Sequence, residues 1–145
     1  MRWPRLLLII PLLFALPSGE MSAQAADTNW PICGRGKRIT CIVDGDTFWM
    51  DRIKYRLQGV NAPEAGDGAR CAKERNMADA ATVRLQELMQ RPGLTFQRRG
   101  NDRYGRVLVT VRTADGEDVA ALMVKSGHGR TYYGGYHDPM EWCRY

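Results

Sequence analysis

The residues that could do chemistry lie close together, in the stretch 43–64, VDGDTFWMDRIKYRLQGVNAPE. Asp44 and Asp46 flank Gly45, with Thr47 beside them. Asn61, Ala62 and Glu64 follow at the far end, around Pro63. The residues between alternate as strands do, so a hairpin predicts that Asp46, Asn61 and Glu64 converge on one point. An oxygen-only set of that kind suits a hard cation such as Ca²⁺. Arg56 stands between the two clusters, where a guanidinium could hold a phosphate beside the metal.

The surrounding pattern supplies the elements that must position these groups. Residues 38–43 alternate and predict a first strand entering the Asp-Gly turn. Phe48, Met50 and Ile53 predict the next strand, and Tyr55, Leu57 and Gly59 a third. The spacing of Met77, Ala81, Leu85 and Leu88 predicts a helix over 71–90, stopped by Pro92-Gly93. Residues 94–96 read as a strand, 97–103 as a charged loop, and Val107, Val109 and Val111 as a further strand. Asp118 is placed to cap a short helix reaching Lys125, with Gly127 to end it. Strands interrupted by two helices on this length imply an α+β fold, and a small five-stranded OB-like β-barrel with flanking helices fits the order.

The chain opens differently. Arg2 and Arg5 precede the apolar run 6–16, followed by Pro17, Ser18, Gly19 and Ala23-Gln24-Ala25. This is the pattern of a secretory signal peptide, 1–25, cut after Ala25 and leaving no stable membrane anchor. Residues 26–37 read as a leader and 38–145 as one domain. Removing Arg2, Arg5 and Glu20 takes the formal net charge from +5 to +4. The basic balance favours polyanionic partners. Four cysteines suit an exported protein with two disulfides, for which three pairings are open. We favour Cys33–Cys41 as a local staple and Cys71–Cys143 as a clasp on the tail. The absence of any CxxC pair argues against zinc.

Three motifs in order, DGDT (44–47), RLQGVNAPE (56–64) and DRYGR (102–106), resemble those of the staphylococcal nuclease family over residues 38–133. The resemblance implies an exported, Ca²⁺-dependent endonuclease that hydrolyses DNA and RNA with low sequence specificity and leaves 3′-phosphate ends. It also implies an OB-like barrel. Carried over at matching positions, Asp46, Asn61 and the Ala62 carbonyl hold Ca²⁺, while Arg56, Glu64 and Arg106 are catalytic. Arg103, Tyr104, Tyr132 and Tyr133 then meet the nucleic acid, single-stranded DNA or RNA. Asn61 departs from the family's usual Asp, which implies weaker Ca²⁺ binding, and Gly134-Gly135 departs from its second tyrosine position. The chain also ends before the family's long C-terminal helix. A monomer of periplasmic or secreted location is expected. The rival is a catalytically silent OB-fold module that binds nucleic acid or protein; such modules lose the acid and arginines kept here.

Overall fold

Asp51 and Arg52, the central pair of the tightest turn, both adopt positive φ, 52° and 65°. Turns of that hand match the twist of a two-residue hairpin, although side chains other than glycine rarely take them. Two bonds from the preceding segment hold this one: Arg52 N–H donates to the Ile39 carbonyl at 3.0 Å, and Asp51 N–H to Thr40 Oγ1 at 3.3 Å. The hairpin joins β2 (Thr47–Met50) to β3 (Ile53–Leu57), with Thr47 opposite Arg56 and Phe48 opposite Tyr55. That register carries Arg56 back beside the DGDT turn.

The computed structural model describes residues 29–144. The signal-peptide expectation for 1–25 lies outside them, as does the start of the leader. A five-stranded mixed sheet runs in the order β1 (Cys41–Ile42), β2, β3, β6 (Val107–Arg112), β5 (Thr95–Asn101). Among its strand ladders, the β3–β6 pairing is parallel and the others antiparallel. A second ribbon pairs β4 (Gly59–Asn61) with β7 (Arg130–Tyr132), setting Asn61 opposite Arg130. Helix α1 spans Ala72–Met89 and α2 spans Val119–Lys125, the latter capped by Asp118, which accepts from Ala120 N–H at 2.8 Å.

The core lies between sheet and helices. Phe48, Leu57, Val109 and Val111 meet Leu85, Leu88 and Met89 of α1 and Val119 and Met123 of α2, all essentially without solvent contact. Trp30 joins this core, packs edge-on against Phe48 and offers its carbonyl to Gln86 Nε2 at 2.8 Å. Packing therefore starts ahead of residue 38, where the sequence put a leader. Cys33 is bonded to Cys41, and Cys71 to Cys143.

The α+β class holds, with corrections. Among the described residues the sheet does not close into the expected five-stranded barrel: its ladders end at β1 and β5. β1 is two residues long, and Ile42 is bridged to Ile32. Too little of it remains to pair with β5. The sheet curls instead, bringing Phe96 of β5 within 6.2 Å of Trp30 and 6.4 Å of Phe48, ring centre to ring centre. Ile53 belongs to β3 and Gly59 opens β4. Residues 97–101, read as loop, are strand. Every residue of β5 is exposed, so no apolar alternation marks it, and a bulge between Arg98 and Gly100 breaks its register.

Candidate active site

The DGDT turn is built from its own polar groups. Asp46 N–H donates to Asp44 Oδ1 at 3.1 Å, and Val43 and Asp44 N–H both reach the Thr47 carbonyl. Gly45 is required by packing. A Cβ there would stand 2.6 Å from Ala81 Cβ of α1 and 2.8 Å from Ala62 Cβ, so the turn is wedged between helix and loop.

Asp46 is buried and its carboxylate is fully engaged. Thr47 Oγ1 donates to Oδ1 at 2.9 Å; Arg56 Nη2 and Ala62 N–H donate to Oδ2 at 3.1 and 2.9 Å. The same Arg56 Nη2 donates to Asn61 Oδ1 at 3.2 Å. One positively charged nitrogen thus sits on the two oxygens assigned to the metal. Arg56 Nη1 donates to the Leu57 and Val60 carbonyls at 3.2 and 3.1 Å, which fixes the plane of the guanidinium. The nitrogen shows that Asp46 and Asn61 direct oxygen at one point, and a hard cation needs such a donor set.

Negative charge at this point exceeds what Arg56 neutralises. Loss of solvent, then the charge of Asp46, pushes the Asp44 carboxyl from its ordinary 3.8 up to about 7. Glu64, on the exposed loop after Pro63, is also raised, first by loss of solvent and then by Asp46 and Glu74; Arg56 and Arg106 pull the other way. Both shifts arise first from loss of solvent and then from neighbouring carboxylates, a setting that favours a bound cation.

Beside this cluster a cavity of about 380 Å³ is lined by Arg56, Arg103, Tyr104, Arg106, Tyr132 and Tyr133, among others. The structure therefore brings together all four expected substrate contacts and two of the three expected catalytic residues. Arg56 lies 5.5 Å from the centre of the Tyr132 ring, and Arg106 lies 5.4 Å from that of Tyr104. Arg106 Nε donates to Asp102 Oδ2 at 2.7 Å, and the turn amides of Tyr104 and Arg106 donate to Oδ1. Although some loss of solvent opposes it, those bonds hold Asp102 below the ordinary carboxylate range. Tyr104 and Tyr133 are mostly exposed, available to a ligand more than to the core.

Three residues of the site carried no assignment in the sequence. Asp44 read as a turn residue. Glu74 is buried at the start of α1, and its carboxylate accepts from the backbone N–H of Glu64 at 3.2 Å and of Arg70 at 2.6 Å. Its place three residues after the cap residue Cys71 is a capping signal that could have marked it. Glu141, from the tail, accepts from Asn61 Nδ2 at 2.9 Å. Nothing local in the sequence points to that contact. Cys71, Glu74 and Cys143 also cluster, but their sulfurs are bonded to each other and Glu74 is spent on amides, so they form no metal centre.

The sequence profile described as "Staphylococcal nuclease homologue" matches residues 54–141. The chain belongs to that family. An "Uncharacterized endonuclease" of Escherichia coli is 29% identical over 118 residues, covering 77% of this chain and 72% of that protein. One of the same description from Haemophilus influenzae is 30% identical over 116 residues, 74% and 60% of the two chains. "Succinoglycan biosynthesis protein ExoI" of Rhizobium meliloti is 33% identical over 106 residues, 68% of this chain but 51% of that protein.

Proposed function

We propose that this chain is an exported, Ca²⁺-dependent endonuclease that hydrolyses DNA and RNA with low sequence specificity and leaves 3′-phosphate ends. The observation that carries the reading is the meeting of Asp46 Oδ2 and Asn61 Oδ1 at Arg56 Nη2, beside a cavity walled by arginine and tyrosine. Family membership and two relatives described as endonucleases support it. Two disulfides support an oxidising compartment, and the signal-like residues 1–25 fit export. Among the described residues no helix is long and apolar enough to cross a membrane.

Asp46 and Asn61, with the Ala62 carbonyl, would hold Ca²⁺ in this reading, the Arg56 guanidinium giving up its place between their oxygens and turning to the phosphate. When bound, the cation polarises a phosphate oxygen as a Lewis acid and fixes the phosphate in place. Arg56 and Arg106 neutralise the phosphate and the charge that grows in the transition state. Glu64, whose carboxyl is raised above its ordinary value first by loss of solvent, takes the proton of the attacking water. Hydroxide adds to phosphorus, the bond to the 5′ oxygen breaks, and that oxygen collects a proton from solvent. The exposed ring of Tyr133, with Tyr132, stacks on bases without reading them, which gives low sequence specificity, while Arg103 and Tyr104 meet a neighbouring phosphate or sugar.

The test is degradation of single-stranded DNA by the oxidised protein in Ca²⁺ or in EGTA, with Glu64→Gln alongside. Ca²⁺-dependent cleavage that falls about 10²–10⁴-fold in the variant is expected. Tight binding without cleavage, unchanged by the substitution, would overturn the reading in favour of a silent binding module.

A further inference from the structure

Asn61 stands where the family resemblance places an aspartate, and the carboxylate of Glu141 lies against its amide, 2.9 Å from Nδ2. We propose that Glu141 is a positioning residue for the cation site: it orients the Asn61 amide and supplies, from the tail, the charge that Asn61 lacks. The inference rests on the cation role of Asp46 and Asn61 proposed above.

The amide has one orientation that satisfies both neighbours. Arg56 Nη2 only donates, so it must face Oδ1, at 3.2 Å; a carboxylate only accepts, so Glu141 Oε1 must face Nδ2, at 2.9 Å. Turning the amide over would set donor against donor and acceptor against acceptor. Glu141 therefore keeps the oxygen of Asn61 directed to the point it shares with Asp46. Its charge also polarises the amide and makes that oxygen a stronger donor to a cation. Carboxylates behind metal ligands act in this way, and their removal typically costs about 10–100-fold in metal affinity.

Glu141 is itself held. Arg130 Nη1 reaches Glu141 Oε2 at 3.3 Å and Arg130 Nη2 the Glu141 carbonyl at 3.2 Å, and Arg130 lies 4.7 Å from the Trp142 ring centre. Arg130 stands opposite Asn61 in the β4–β7 ribbon, so the ribbon and the tail meet at this pair. Two residues on, Cys143 is bonded to Cys71 at the start of α1. The arrangement also accounts for the residue type. An aspartate at 61 would put its carboxylate against that of Glu141 with no proton between them, so Asn61 and Glu141 are a matched pair.

The test is calorimetric titration of the metal-free, oxidised protein with CaCl₂, using wild type, Glu141→Gln, Glu141→Ala, Asn61→Asp and the double variant Asn61→Asp/Glu141→Gln. Circular dichroism on each sample checks that it folds. Glu141→Ala is expected to bind Ca²⁺ about 10–100-fold more weakly. The isosteric Glu141→Gln, which keeps an acceptor but no charge, should fall between it and wild type. The decisive comparison is a difference in size: Glu141→Gln weakens binding more when residue 61 is Asn, whose amide it orients, than when residue 61 is Asp, which presents an oxygen either way. A merely structural role for Glu141 would weaken both alike. Wild type that binds Ca²⁺ with the same affinity as Glu141→Ala, or equal effects of Glu141→Gln in both backgrounds, would overturn this inference alone. A wild type that binds no Ca²⁺ would overturn it together with the cation reading.

Discussion

The carboxylate of Glu74 accepts the backbone N–H of Glu64, at 3.2 Å, from a position at the start of α1 with almost no solvent contact. A second bond, from Arg70 N–H at 2.6 Å, holds the other end of the same loop. The loop that carries Glu64 is therefore spanned by one buried side chain. This tells why an exposed loop can present Glu64, the proposed general base, in a fixed place.

Replacing Glu74 should loosen that loop. Glu74→Gln keeps one acceptor oxygen and turns an NH₂ group toward an amide that needs an acceptor, leaving a buried donor unsatisfied. The expected loss of stability is about 1–3 kcal/mol. The rate of cleavage should fall while KM changes little, because the proposed substrate contacts line the cavity and not this loop. Urea unfolding with steady-state kinetics measures both; an unaltered kcat would show that Glu64 does not depend on this tether.

Asp46→Ala should cost more than a surface charge would. Arg56 is 9% exposed, and Asp46 is its only carboxylate partner among the described residues. Truncation leaves a buried guanidinium whose charge is met by neutral oxygens alone. Such losses run to about 3–5 kcal/mol, and the Leu57, Val60 and Asn61 oxygens that remain place this one near about 3 kcal/mol. A urea midpoint unchanged by Asp46→Ala would show that Arg56 finds solvent instead. Cleavage should be lost with the proposed cation ligand, and Asp46→Asn separates the two effects by restoring an acceptor without the charge.

Much of this site was legible because its parts are near in sequence. Asp46, Arg56, Asn61 and Glu64 fall within one hairpin and the loop leaving it, and the register Thr47 opposite Arg56 follows from the turn. The helix was legible from its apolar spacing, although Ala78, not Met77, sits fully in the core. Other parts had no local signature. The β5 residues 97–101 lack any apolar side chain and are exposed on an edge, so their pairing depends on β6 and not on their own pattern. The contact of Asn61 with Glu141 spans 80 residues and the pairing of β4 with β7 spans a similar distance. Neither is encoded in a period or a motif; both arise when the tail folds back.

Asp44 should make the metal-free protein less stable as pH rises. In the unfolded chain its carboxyl titrates near 3.8; in the fold, loss of solvent and the charge of Asp46 lift it to about 7. The folded state holds the proton more tightly across that interval. Its contribution is therefore fully present below about pH 4, declines as pH climbs toward 7, and is gone above. Glu64, raised for similar reasons, acts in the same direction. Asp44→Asn removes the ionisation but keeps Oδ1, which accepts from Asp46 N–H. In EGTA, the stability of this variant relative to wild type should increase between pH 4 and 7. A difference that stays flat across that range would mean that Asp44 ionises freely in the fold.

The Cys71–Cys143 bond joins the two ends of the site's support: Cys71 caps the helix that carries Glu74, and Cys143 lies two residues beyond Glu141. It closes a separation of 72 residues, which corresponds to about 4 kcal/mol of lost freedom in the unfolded chain. Cys71→Ser/Cys143→Ser should lower the urea midpoint accordingly, while Cys33→Ser/Cys41→Ser, across a separation of 8, should lower it less. The two variants should differ more sharply in a second property. Without the clasp, the tail holds Glu141 against Asn61 through Arg130, His137 and the packing of Trp142, so Ca²⁺ affinity should fall as well. Opening the other disulfide leaves the Asn61–Glu141 pair intact and should leave affinity within about twofold. Each is read by titration with CaCl₂ at a temperature where both variants are folded. Equal affinities in the two would show that the tail keeps its place without the bond and that its stabilisation is confined to the unfolded chain.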